Sequence, residues 1–147
     1  MGLNMKWKKD CRLGIDDIDS QHRLLFAIAN EINDIHNPED QEPEIKYLIN
    51  HIRQYVKDHF AHEETFLEKH NYPELEKHKE SHKIIIEEIN HTLTSSKSIQ
   101  ALYEQLGYLM NVWIKDHILS MDKKYATWYH AQKSDNSADT LGTGRQG

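Results

Sequence analysis

The sequence predicts an all-α fold, an antiparallel up-down four-helix bundle with an N-terminal arm. Three observations carry that reading. Breakers interrupt the chain at Asn37-Pro38 with Pro43, at Asn71-Tyr72-Pro73 and at Thr94-Ser95-Ser96-Lys97-Ser98. The segments between them have helical length and helical apolar period. None alternates apolar and polar residues as a half-buried strand would, and glycine is sparse within them. Short connections then make sequential helices antiparallel neighbours.

Each element follows from local residues. Residues 1–18 form the arm, whose Trp7, Leu13, Ile15 and Ile18 suit a cover over one bundle end. The first helix begins near Asp19 or Ser20, either of which can cap it. Its stripe is His22, Leu25, Ala29 and Ile32. The second runs from about Pro43, a favourable first-turn residue, to about Lys69. Its stripe is Ile45, Leu48, Ile52, Val56, His59, Glu63 and Phe66. The third runs from about Pro73 to about Leu93, with Leu75, His78, His82, Ile85 and Ile89 inward. The fourth runs from about Ser98 to about Tyr129, with Leu102, Leu106, Leu109, Trp113 and His117 inward. The bundle domain is thus 19–130. The remainder, 131–147, is Ser/Asp/Gly-rich with little apolar content and is expected to be a disordered tail.

Composition narrows the function classes. The net charge is −6 with both signs interspersed, so the chain lacks the basic stripe that nucleic acid requires. Apolar runs are as short as Ile84-Ile85-Ile86, which excludes a membrane-spanning helix. No apolar stretch follows the first lysines, so a secretory signal is not expected. A lone cysteine, Cys11, cannot form an internal disulfide, and a cytoplasmic setting is expected.

The chemistry lies in histidine spacing. Of eleven histidines, five sit on the apolar stripes: His22, His59, His78, His82 and His117. Glu63 shares the stripe of the second helix, and Asp122 follows His117 by five residues. His59/Glu63 and His78/His82 are i,i+4 pairs, about 40° apart around a helix, so both members can reach one point. A buried imidazole or carboxylate without a partner costs several kcal/mol, roughly. Seven of them would consume a net stability of about 5–15 kcal/mol. Metal coordination satisfies all seven at once, and this ligand mix suits first-row metals. Seven ligands exceed the roughly four of a tetrahedral zinc site. Two octahedral ions offer about twelve positions. Five imidazoles, two bridging carboxylates and a bridging oxygen leave about one position open for a small molecule.

Neighbouring patterns carry less. His62-Glu63-Glu64-Thr65-Phe66 starts like the zinc-protease helix motif, but Phe66 stands where its second histidine belongs. The Glu-x-x-His form of the di-iron carboxylate bundles occurs once, as Glu88-Ile89-Asn90-His91, without its second copy. His36, His51, His62, His70, His91 and His130 are expected on solvated faces. His117 and Asp122 are five residues apart, about 140° out of phase on a regular helix. Both can face one centre only if the fourth helix widens into a π-bulge or loosens near 118–122.

These residues together resemble the hemerythrin family, its single-domain bacterial members in particular. The resemblance runs from Trp7 to about Tyr129. It comprises Leu13-Gly14-Ile15 through His22, then His59-Phe60-Ala61-His62-Glu63-Glu64, then Tyr72-Pro73, His78-x-x-x-His82, and Trp113-Ile114-Lys115-Asp116-His117 through Asp122. It implies a non-haem di-iron centre, two iron ions with a bridging oxo or hydroxo group, that binds O2 reversibly for carriage, storage or sensing. By carry-over, His78, His82 and His117 hold one iron. His22 and His59 hold the other, which keeps the open position. Glu63 and Asp122 bridge the pair, and Trp113 and Ile114 line the O2 pocket. The resemblance implies no catalytic residue. A di-iron enzyme acting on peroxide or nitric oxide, or an iron-handling protein, is the competing expectation. O2 is the expected partner, with neither nucleic acid nor membrane, and a separate protein partner stays open.

Overall fold

The computed structural model describes residues 11–144, and the side chains among them apart from those of Asn111, Trp113 and 135–144. Trp7 and the start of the arm therefore lie outside the described residues, as does the Trp113 side chain. The described residues form an all-helical bundle without a strand. Helix α1 spans Asp16–Asn33, α2 Glu42–Lys69, α3 Leu75–Ser95 and α4 Ile99–Tyr108. Helix α4 does not end. It passes through two π-helical stretches, Leu109–Lys115 and Ile118–Asp122, into α5, Lys123–Gly144.

Helix α1 starts earlier than the capping residues suggest. Ile15 stands at the N-cap, and Asp16, Asp17 and Asp19 fill the first turn, where carboxylates complement the helix dipole. Asp19 does not cap the helix. Its buried carboxylate instead accepts the backbone N–H groups of Leu13 at 2.8 Å and Gly14 at 3.0 Å. This folds the end of the arm back on α1. Gly14 makes the bend with φ of +77°, a conformation that disfavours any side chain. His130, on α5, donates from Nε2 to the Leu13 carbonyl at 2.8 Å. The arm and the last helix are thereby tied across most of the chain length.

Other boundaries follow familiar chemistry. A short 3-10 turn, Pro38–Gln41, leads into α2, which has Pro43 in its first turn. Asn71 takes a left-handed φ of 57° after α2, and the Tyr72 N–H reaches back to the Leu67 carbonyl at 3.0 Å. That is a Schellman closure. Ser98 caps α4 by accepting from the Ala101 N–H at 3.0 Å. At the other end the helical backbone of α5 runs to Gly144, and Ala131-Gln132-Lys133 are good helix formers. Residues 131–134 are exposed.

Two apolar clusters make the core. The larger gathers Leu25, Phe26, Ile32, Ile45, Ile52, Val56, Ile85, Ile89, Leu102, Leu106 and Ile114 among others. The smaller closes one end with Leu13, Ile18, Leu67, Tyr72, Tyr125 and Ala126. In every rod the candidate ligands fall in sequence between residues of these two clusters. They come early in α1 and α3, late in α2, and beyond the end of α4 in the fourth rod. That alternation is what antiparallel neighbours must show if the ligands share one level.

Candidate metal centre

All seven sequence-selected groups converge. His22, Glu63, His78 and Asp122 are at most 1% exposed, and His59, His82 and His117 at most 5%. Their donor atoms form two groups. Glu63, His78, His82, His117 and Asp122 make one, and His22, His59, Glu63 and Asp122 the other, with donors in each group lying within 4.8 Å of one another. Each carboxylate faces both ways. Glu63 Oε1 is 2.7 Å from His78 Nε2 and 2.9 Å from His82 Nε2. Its Oε2 is 3.5 Å from His59 Nε2 and 3.8 Å from His22 Nε2. Asp122 Oδ1 is 3.0 Å from His117 Nε2 and 3.1 Å from His78 Nε2, while Oδ2 is 3.3 Å from His22 Nε2.

The second π-helical stretch makes this possible. Ile118–Asp122 is wound with i→i+5 bonding, at the place where the five-residue spacing demands it. The first stretch, Leu109–Lys115, has no signal in the sequence and precedes His117 directly.

Several observations test whether metal ions fit. His22 and His59 bring Nε2 atoms within 3.0 Å of each other, and His82 and His117 within 3.1 Å. Two donors about 2.1 Å from one ion and at right angles stand about 3.0 Å apart, whereas tetrahedral donors stand about 3.4 Å apart. The spacing therefore suits octahedral coordination. Asp122 has both carboxylate oxygens buried without a hydrogen bond, although imidazole nitrogens lie close, so proximity there is not hydrogen-bond alignment. The donor set fits two ions, one with five protein donors and one with four.

A surrounding layer fixes the rings. His59 Nδ1 donates to Gln21 Oε1 at 2.6 Å, His82 Nδ1 to Glu64 Oε2 at 2.8 Å, and His117 Nδ1 to Ser81 Oγ at 2.9 Å. Such bonds set the tautomer that turns Nε2 toward a metal. Tyr125, fully buried, donates its hydroxyl to Glu63 Oε2 at 3.0 Å. Phe60 stacks on His82 with centroids 3.7 Å apart and planes 4° from parallel. Sequence reasoning missed Gln21, Ser81, Tyr125 and the role of Glu64. Tyr125 was discoverable, since it follows Asp122 by three residues and so shares its face of the helix.

Electrostatics without metal are revealing. Burial pulls the pKa of His22 and His78 down, but contact with Asp122 and Glu63 outweighs it and raises both to about 9. Burial leaves His59 below its ordinary value. Burial would raise Glu63, yet the four surrounding imidazoles hold it well below the usual carboxylate range. Asp122 is pushed up by burial and by Glu63, and is held low against both by His117 and His22. Two imidazolium charges thus balance two carboxylates, and metal ions would displace those protons.

Of the other predicted positions, Ile114 is buried near the site at 2% exposure. His36, His51, His62, His91 and His130 are exposed as expected. His70 is half-buried, donating from Nδ1 to the Phe66 carbonyl at 2.8 Å.

Comparison with known proteins agrees with this geometry. The family profile described as Hemerythrin HHE cation binding domain matches residues 13–129. A bacteriohemerythrin of Clostridium acetobutylicum is 34% identical over 129 residues, covering 81% of this chain and 96% of that protein. A bacteriohemerythrin of Stenotrophomonas maltophilia is 28% identical over 120 residues, covering 82% of this chain and 78% of its own. One from Campylobacter jejuni is 27% identical over 115 residues, covering 78% and 86% respectively.

Proposed function

Because the chain belongs to the hemerythrin family, we propose that it binds O2 reversibly at a non-haem di-iron centre. In this reading His78, His82 and His117 would hold one iron, His22 and His59 would hold the other, and Glu63 and Asp122 would serve both. The observation that carries it is the division of donors into five and four around two points, with each carboxylate facing both. A small ligand would find room on the four-donor side, where the protein offers one donor fewer. When bound, the irons supply the electrons that hold O2 and take them back on release.

The protein's own part is positional. Gln21, Glu64 and Ser81 lock three imidazoles, so the donors are placed before any ion arrives. The apolar residues on either side keep bulk water and anions from the centre. Ile114, together with Trp113, lines the O2 pocket in this proposal. No helix among the described residues is long and apolar enough to cross a membrane.

The test is the reduced, iron-loaded protein exposed to air. The expected result is two irons per chain and a coloured oxygenated form that bleaches under argon and returns with O2. A stoichiometry near one iron would refute the two-ion reading. Consumption of O2, peroxide or nitric oxide beyond the iron content would instead identify an enzyme.

A further inference from the structure

Three of the chain's ten tyrosine and tryptophan rings stand in series beside the metal-ligand cluster. Tyr125 lies 5.3 Å from the His78 ring, centroid to centroid, and its hydroxyl touches Glu63. Tyr72 lies 6.2 Å from Tyr125, and Trp128 lies 5.2 Å from Tyr72. Tyr125 is fully buried, Tyr72 is 7% exposed and Trp128 is partly exposed. The three rings therefore form an unbroken series from the metal-ligand cluster to the surface, each nearly edge-on to the next. Packing alone would explain rings at a bundle end. Phe66 also packs on Tyr125 at 6.2 Å, but packing would not require a phenol hydroxyl buried on a site carboxylate.

We propose that Tyr125, Tyr72 and Trp128 form an electron route between the surface and the metal-ligand cluster. The route rests on the reading that the cluster holds redox-active iron. Its use is to deliver electrons when the cluster meets hydrogen peroxide, so that oxidation falls on a surface indole rather than on the buried ligands. The step balances. Trp128 takes one oxygen atom from water and releases two electrons and two protons. Those convert one peroxide into two waters, breaking its O–O bond. Each tyrosine on the way gives up and regains its electron and hydroxyl proton, so the lasting change is hydroxylation at Trp128.

The experiment uses the full iron-loaded chain, free of O2, with equimolar hydrogen peroxide in water enriched in heavy oxygen. Peptide mass spectrometry then locates oxygen and its source. The expected result is solvent-derived oxygen on Trp128, lowered by an order of magnitude in Tyr125→Phe and in Tyr72→Phe and absent from metal-free protein. Tyr72→Phe keeps the ring packing and, unlike Tyr125→Phe, removes no hydrogen bond described to a ligand, so it serves if Tyr125→Phe loses iron. Oxygen drawn from peroxide, or equal labelling in wild type, both variants and metal-free protein, overturns the route. The functional reading fails separately, at the metal analysis and O2 cycling of the untreated protein. A protein that passes those and leaves Trp128 unlabelled refutes the route alone.

Discussion

Deleting Leu119 should leave both metal ions bound. The reasoning starts from helix geometry. On a regular α-helix five residues rotate a side chain to about 140° out of phase, and four residues to about 40°. In the native chain the π-helical stretch Ile118–Asp122 absorbs the difference and puts His117 Nε2 3.0 Å from Asp122 Oδ1. Removing one residue between them yields an i,i+4 pair that an ordinary α-helix already aligns. Tyr125 would then follow His117 by seven residues, about 20° from the same face, so its bond to Glu63 is also retained. Leu119 is 36% exposed, so the deletion takes little from the core. Deleting Gln54 is the contrast. It lies in the unbroken α2 and is exposed, yet its loss turns Ile45 through Arg53 by about 100° against His59. Metal content by elemental analysis and far-ultraviolet dichroism decide the matter. Two ions per chain in the Leu119 deletion and an unfolded or metal-poor Gln54 deletion are expected. A Leu119 deletion as metal-poor as His117→Ala would refute the claim that the widened turn exists only to set this register.

Three further outcomes follow from the site and its supports. His82→Ala should lower bound metal, whereas His91→Ala, on an exposed face, should leave it unchanged in the same assay. Gly14→Ala should destabilise the fold by about 1–2 kcal/mol from the positive φ alone. Its Cβ would also meet His130 Nε2 at 2.9 Å, so urea titration of Gly14→Ala with His130→Ala should recover part of the loss and not all. The thermal midpoint of metal-free protein should fall as pH rises from about 6.5 to about 9. His22 and His78 have raised folded pKa values, so their stabilisation is complete below the unfolded value and is lost through the folded one. Metal-loaded protein, with those protons already displaced, should not show that fall.

The sequence made the four rods and all seven candidate ligands legible because two signals coincide there. The helical apolar period and the i,i+4 ligand spacing point to the same face at His59/Glu63 and His78/His82. The His117–Asp122 spacing even exposed its own distortion, since no regular helix accommodates it. What stayed hidden depends on contacts between distant residues. Asp19 looks like a helix cap, and only the fold shows it holding Leu13 and Gly14 instead. Gln21, Ser81 and Glu64 have no periodicity of their own, and their roles appear only when a ring from another helix arrives beside them.

The unequal partition of the core has a consequence for how the protein matures. The larger cluster is built of apolar side chains, and its Phe60 lies flat on His82, so the core itself bears on the ligand level. The ligand level lies toward the smaller cluster, beyond which the chain is closed by the bend at Gly14 and the turn at Asn71. A newly made chain therefore arrives with its receptacle already shaped, and loading it exchanges protons for ions without rebuilding the frame.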